Sequence, residues 1–123
     1  MPRILVMDDD DMLRPVLRDM LVYEGYEVIE AADGNQGMKA CREMKADLVI
    51  SDVIMPEKEG LEVIRELRRD FPHVKIIAMS GGGQIGALDY LTLAKKMGAH
   101  GILAKPFGRD ELIAAVQSLL AEK

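Results

Sequence analysis

Five residues that could do chemistry together stand just past short apolar runs. Arg3–Met7 leads into Asp8 and Asp9, Leu48–Ser51 into Asp52, Lys75–Met79 into Ser80, and Gly101–Ala104 into Lys105. A few carboxylates offering hard oxygens, with other positions open to water and phosphate, describe a magnesium site. Asp9 and Asp52 are the expected direct ligands, with Asp8 close by or acting through water. The backbone carbonyl of Ile54, in the irregular loop after Asp52, is expected to complete the protein's share. Ser80 and Lys105 are not needed for a metal, but a hydroxyl and an ammonium suit the non-bridging oxygens of a phosphoryl group. Phosphoryl transfer asks mainly for positioning and charge neutralisation. A carboxylate can act as the nucleophile through an aspartyl-phosphate. Asp52 is the expected nucleophile, because it alone faces both the acid pair and the Ser/Lys side.

The chain must bring these positions together, and its periodicity says how. The apolar runs alternate with stretches of helical period: Met12–Glu24, Asn35–Lys45, Leu61–Asp70, Ala87–Met97 and Asp110–Ala121. On the first of these Leu13, Val16, Leu17, Met20 and Leu21 share one face. Gly25 reads as its C′ residue and Pro72 closes the third. Tyr26–Ala31 reads as the second strand. Strands alternating with helices predict an α/β fold, a doubly wound five-stranded parallel sheet with helices on both faces. Right-handed crossovers put every strand's carboxyl end on one edge, where such sheets bind their ligands. In the flavodoxin-like order 2-1-3-4-5, strands one and three are neighbours and their terminal acids converge. Carboxylates about 4 Å apart repel by about 1 kcal/mol per pair in water and about 4 at an effective dielectric near 20. Such a cluster persists only with a cation or a retained proton.

Composition sets the outer bounds. The chain has 123 residues, 16 Lys+Arg against 21 Asp+Glu, and a net charge of −5. That length suits one domain with one real core, expected over residues 1–123 with no output domain and no leader. No apolar run is long enough for a transmembrane helix. A pI near 5.0 argues against nucleic acid or an anionic membrane as the main partner. A single cysteine, Cys41, fits a reducing, cytoplasmic setting.

Ile4-Leu5-Val6-Met7-Asp8-Asp9-Asp10, Asp52-Val53-Ile54-Met55-Pro56 with Gly60, Ala78-Met79-Ser80-Gly81 and Lys105-Pro106-Phe107 together resemble the receiver domain of two-component response regulators. The pieces fall in order along essentially the whole chain. The resemblance implies that Asp52 takes a phosphoryl group from a partner's phosphohistidine, with Asp8 and Asp9 for the metal. It further implies Ser80 as the hydroxyl switch, Lys105 as the phosphoryl's cation and a cis bond at Lys105-Pro106. The implied partners are a sensor histidine kinase or histidine phosphotransfer protein and a downstream protein target, as for a stand-alone receiver. Many receivers carry an aromatic toggle three positions before the lysine; here that residue is Ile102. An aromatic toggle therefore does not carry over, whereas a shift of Ser80 and its loop does.

Other features have blander explanations. Asp10 and Asp11 suit the N-terminus of the first helix, where carboxylates are favoured. Gly81-Gly82-Gly83-Gln84-Ile85-Gly86 fits a dinucleotide fingerprint in spacing, but such folds want it after the first strand, where this chain has four aspartates. Met20, Met38, Met44, Met79 and Met97 are expected in the core, Cys41 as a small buried apolar residue, and His73 and His100 as surface imidazoles. Tyr90, Leu91, Leu93, Lys95 and Lys96, with the fifth strand and helix, form the expected docking face. Three rival readings remain. A haloacid-dehalogenase-like phosphatase would want a second aspartate where Ile54 stands; the others are a phosphate sink or relay and a pseudo-receiver that takes no phosphate.

Overall fold

The structure, a computed structural model, describes residues 2–53, 60–80 and 87–121, with the backbone alone at 60 and 87–91. Five strands alternate with five helices: β1 (Arg3–Met7), α1 (Leu13–Tyr23), β2 (Glu27–Ala31), α2 (Gly34–Met44), β3 (Leu48–Asp52), α3 (Gly60–Asp70), β4 (Lys75–Ser80), α4 (Ala87–Met97), β5 (Gly101–Ala104) and α5 (Arg109–Ala121). The strands form one parallel sheet in the order β2-β1-β3-β4-β5, the predicted arrangement.

Strand side chains alternate between faces, so one apolar run can feed two cores. Ile4, Val6, Leu48, Ile50, Ile77 and Met79 face one core, closed by Leu17 and Leu21 of α1 and by Leu112, Val116 and Leu119 of α5. Leu5, Met7, Val49, Ile76 and Ala78 face the other, closed by Met38 and Cys41 of α2, Val63, Ile64 and Leu67 of α3, and Ala94 of α4. The three central strands are buried on both faces, which is why they read as continuous apolar runs rather than as alternation. Removing one such side chain, as in Ile50→Ala, costs about 2–5 kcal/mol.

Element ends follow local chemistry. Asp10 Oδ1 accepts the backbone N–H groups of Met12 and Leu13 at 2.9 and 3.1 Å, capping α1 as expected. These bonds hold the Asp10 carboxyl below its ordinary value, helped by the charges of Lys105 and Arg14. Asp33 caps α2 by accepting from Gln36 N–H at 2.8 Å. Gly25, at φ 96°, ends the α1 turn in a backbone region closed to most side chains.

Expectations change at Val16, Met44 and His100. Val16 is 46% exposed and Met44 42%, so neither joins the core. His100 is not a free surface imidazole: its Nδ1 accepts the Ile76 N–H at 3.0 Å, tying the turn before β5 to the start of β4. Lys95 is exposed as expected and donates from Nζ to the His100 carbonyl at 2.9 Å.

Candidate functional site

At the carboxyl edge of the sheet β1, β3, β4 and β5 deliver the five expected residues to one place. Asp8 follows β1, its N–H bonded to the Ala31 carbonyl of β2 at 3.1 Å, and its side chain is fully buried. Its Oδ1 accepts from the Asp10 N–H at 2.9 Å, and its Oδ2 accepts from Lys105 Nζ at 2.9 Å. Asp52 ends β3, is 6% exposed, and its Oδ2 accepts from the same Lys105 Nζ at 2.9 Å. Asp9 is exposed, yet one carboxylate oxygen each from Asp8, Asp9 and Asp52 lies within 4.8 Å of the others.

Lys105 reaches the acids because its backbone is also fixed. Its N–H donates to the Ser80 carbonyl at 2.7 Å, continuing the β4–β5 ladder by one residue, and the Lys105-Pro106 bond is cis as the resemblance implied. Burial by itself would lower the ammonium's pKa, but hydrogen bonds to Asp52 and Asp8 and the charges of both acids outweigh it and raise it.

Three carboxylates against one ammonium leave a formal excess of two negative charges, which a divalent cation matches in sign and size. Hard carboxylate oxygens on one open edge suit magnesium better than a softer metal. Ser80 supplies a second observation. Its hydroxyl is fully buried and has no hydrogen-bond partner among the described residues. A buried hydroxyl left unpaired costs about 1–3 kcal/mol. An incoming phosphoryl oxygen would satisfy it. The Ile54 carbonyl and the glycine-rich loop at 81–86 lie outside the described residues, as do the side chains of Tyr90 and Leu91.

Two parts of this edge escaped the sequence reading. Arg14, in the first turn of α1, grips the Asp8 carbonyl with Nη1 at 2.7 Å, and nothing in the spacing of the sequence singled it out. Beside Lys105, a cavity of about 300 Å³ opens between α1 and the turn after β5, walled by Leu13, Val16, Met20, Pro106 and Phe107. The half-exposure of Val16 is explained by this cavity. On the expected docking face, Leu93 and Ile102 are 45% and 44% exposed.

Among the described residues no helix is long and apolar enough to cross a membrane. The response regulator receiver domain family matches residues 4–117. The chain is 34% identical over 118 residues to the chemotaxis protein CheY of Thermotoga maritima, covering 95% of this chain and 96% of that one. It is 34% identical over 120 residues to the transcriptional regulatory protein CpxR of Klebsiella pneumoniae, spanning 98% of this chain but only 50% of that one. A solved receiver domain protein from Clostridium thermocellum superposes with a TM-score of 0.88 at 32% identity, over 96% of this chain and 93% of that one. Sheet order, the acids on its carboxyl edge and these likenesses agree, and the chain belongs to the receiver domain family of two-component response regulators.

Proposed function

We propose that this chain is a phospho-accepting switch whose acceptor is Asp52. The observation that carries the reading is the pairing of Lys105 with both Asp52 and Asp8, beside a buried Ser80 hydroxyl that has no partner among the described residues. An Asp52 carboxylate oxygen attacks the phosphorus of a partner's phosphohistidine; a new P–O bond forms and the P–N bond breaks. The electron pair leaves with the imidazole nitrogen, and because the phosphohistidine ring reacts with its other nitrogen protonated, the partner is released with a neutral histidine. Asp8, Asp9 and Asp52 would hold a divalent cation, magnesium, and its charge would offset that of the phosphoryl oxygens. Lys105 exchanges a carboxylate oxygen for a phosphoryl oxygen, and Ser80 donates its hydroxyl to another.

Phosphorylation converts one negative charge at Asp52 into about −1.5 to −2 and adds strong acceptor oxygens. Drawing Ser80 and Lys105 toward that group moves the ends of β4 and β5, and with them the surface carrying Leu93 and Ile102. A downstream protein must bind the phosphorylated form better, since a ligand with equal affinity for both forms shifts nothing. The kinase or phosphotransfer protein supplies the phosphohistidine, and the cytoplasm is the proposed setting. Acting as a switch rather than as an enzyme on small phosphoesters fits the Ile54 position, which lacks the second aspartate of that chemistry.

Intact mass after incubation with magnesium and acetyl phosphate or phosphoramidate tests this. One added phosphoryl group in the parent and none in Asp52→Asn is the expected result. No adduct in a parent that binds magnesium would favour a pseudo-receiver, and an adduct surviving in Asp52→Asn would name another nucleophile.

A further inference from the structure

We propose that Arg14 is a positioning residue for the cation site, acting through the backbone between Asp8 and Asp9; this rests on the switch reading above. Its guanidinium is spent on three partners. Nη1 donates to the Asp8 carbonyl at 2.7 Å, Nη2 to Asp11 Oδ1 at 2.7 Å, and Nε pairs with Glu30 Oε1 at 3.3 Å. The side chain is only 15% exposed. Glu30 is itself held, its Oε2 accepting from Arg18 Nη1 at 2.8 Å, and it stands in β2 directly across from Val6 of β1.

The carbonyl of Asp8 and the N–H of Asp9 belong to one planar peptide unit. Fixing that oxygen fixes the plane, and the plane sets the directions in which both acidic side chains leave the chain. The Asp8 N–H is held from the other side by the Ala31 carbonyl of β2. The acid turn is therefore gripped at both ends by β2, once directly and once through Glu30 and Arg14. The edge strand contributes no side chain to the acid cluster, yet it orients that cluster. Lysine replaces the arginine only in part, because a single ammonium lacks the planar fork that reaches three partners at once.

A charge effect and a positioning effect have opposite signs here. Arg14 is a cation next to a cation site, so electrostatics alone would make its removal tighten metal binding. Loss of positioning loosens it.

The test is calorimetric titration of magnesium into the whole chain and into Arg14→Met, Arg14→Lys and Glu30→Gln, with thermal melting of each metal-free protein to verify folding. The dissociation constant should rise about tenfold or more in Arg14→Met, the usual scale for lost support of metal ligands. Arg14→Lys and Glu30→Gln should move it in the same direction by less. A folded Arg14→Met binding magnesium as tightly as the parent, or more tightly, would overturn the proposal. Should Arg14→Met not fold, unchanged affinity in both of the other variants would overturn it equally. A parent that takes up no magnesium would instead sink the switch reading itself.

Discussion

Lys105 Nζ stands 2.9 Å from Asp52 Oδ2, although 53 positions separate the two residues in the chain. The contact exists because β3 and β5 flank β4 and all three end at the same edge. The same ammonium is 2.9 Å from Asp8, so one cation ties together the ends of β1, β3 and β5. The proposed acceptor is thus already partnered, and on the proposed reading phosphorylation would exchange one partner of Lys105 for another rather than build a site anew.

That bridge makes stability depend on alkaline pH. Burial opposes the Lys105 charge, but hydrogen bonds to Asp52 and Asp8 prevail and hold its pKa above the ordinary 10.5. A group raised on folding stabilises the protein in full below its unfolded value and loses that contribution as pH climbs through the folded value. Urea denaturation should show parent and Lys105→Gln separated by a constant gap below pH 10.5, closing above it. A gap that persists after the lysine has lost its proton would mean the bridge contributes nothing.

Magnesium should stabilise the folded chain. At ten times its dissociation constant, a ligand bound only by the native state adds about 1.4 kcal/mol, a rise of a few degrees in Tm. Chelation should reverse the shift. Asp9→Asn removes an exposed carboxylate whose oxygen lies within 4.8 Å of those of Asp8 and Asp52, and it should blunt the response while leaving the metal-free Tm near the parent's. Equal shifts in both proteins would remove Asp9 from the ligand set.

Close packing behind the site gives a third prediction. A Cβ built at Gly37 of α2 would lie 2.0 Å from Met7 Sδ and 2.6 Å from its Cγ. Met7 is fully buried and directly precedes Asp8, so it has little room to yield. Gly37→Ala should therefore cost about 1–3 kcal/mol from overpacking, outweighing the gain of up to about 1 from better helix propensity. The urea midpoint measures it, and Gly37→Ala with Met7→Val should recover part of the loss. A stabilised single variant would show that α2 can move off the sheet freely.

Cys41 should be inert in the folded protein. Burial pushes its thiol up to about 11, and the residue is 1% exposed. Since the thiolate is the reactive form, a thiol reagent at pH 8 should label the native chain only as fast as it opens, and the urea-unfolded chain at once. Rapid labelling of the native protein would contradict the packing of α2.

The period of the apolar residues was enough to determine five strand–helix units and the parallel sheet. It also placed Asp8, Asp9, Asp52, Ser80 and Lys105 together, because a right-handed βαβ chain leaves every strand's carboxyl end on one edge. Residue type then supplied the chemistry. Periodicity says which way a side chain points but not what lies within its reach, and there tertiary structure decided. Val16 sits on the apolar face of α1, yet only the turn at Pro106 and Phe107 turns its surroundings into an open cavity. His100 reads as a turn imidazole until β4 brings the Ile76 N–H to it from 24 positions away. Arg14 is one arginine among many along the chain, and its hold on the Asp8 carbonyl follows from pairing β1 with β2, which sets Glu30 beside it. Long side chains find distant partners through sheet register and helix placement, and neither quantity is written in any local stretch of sequence.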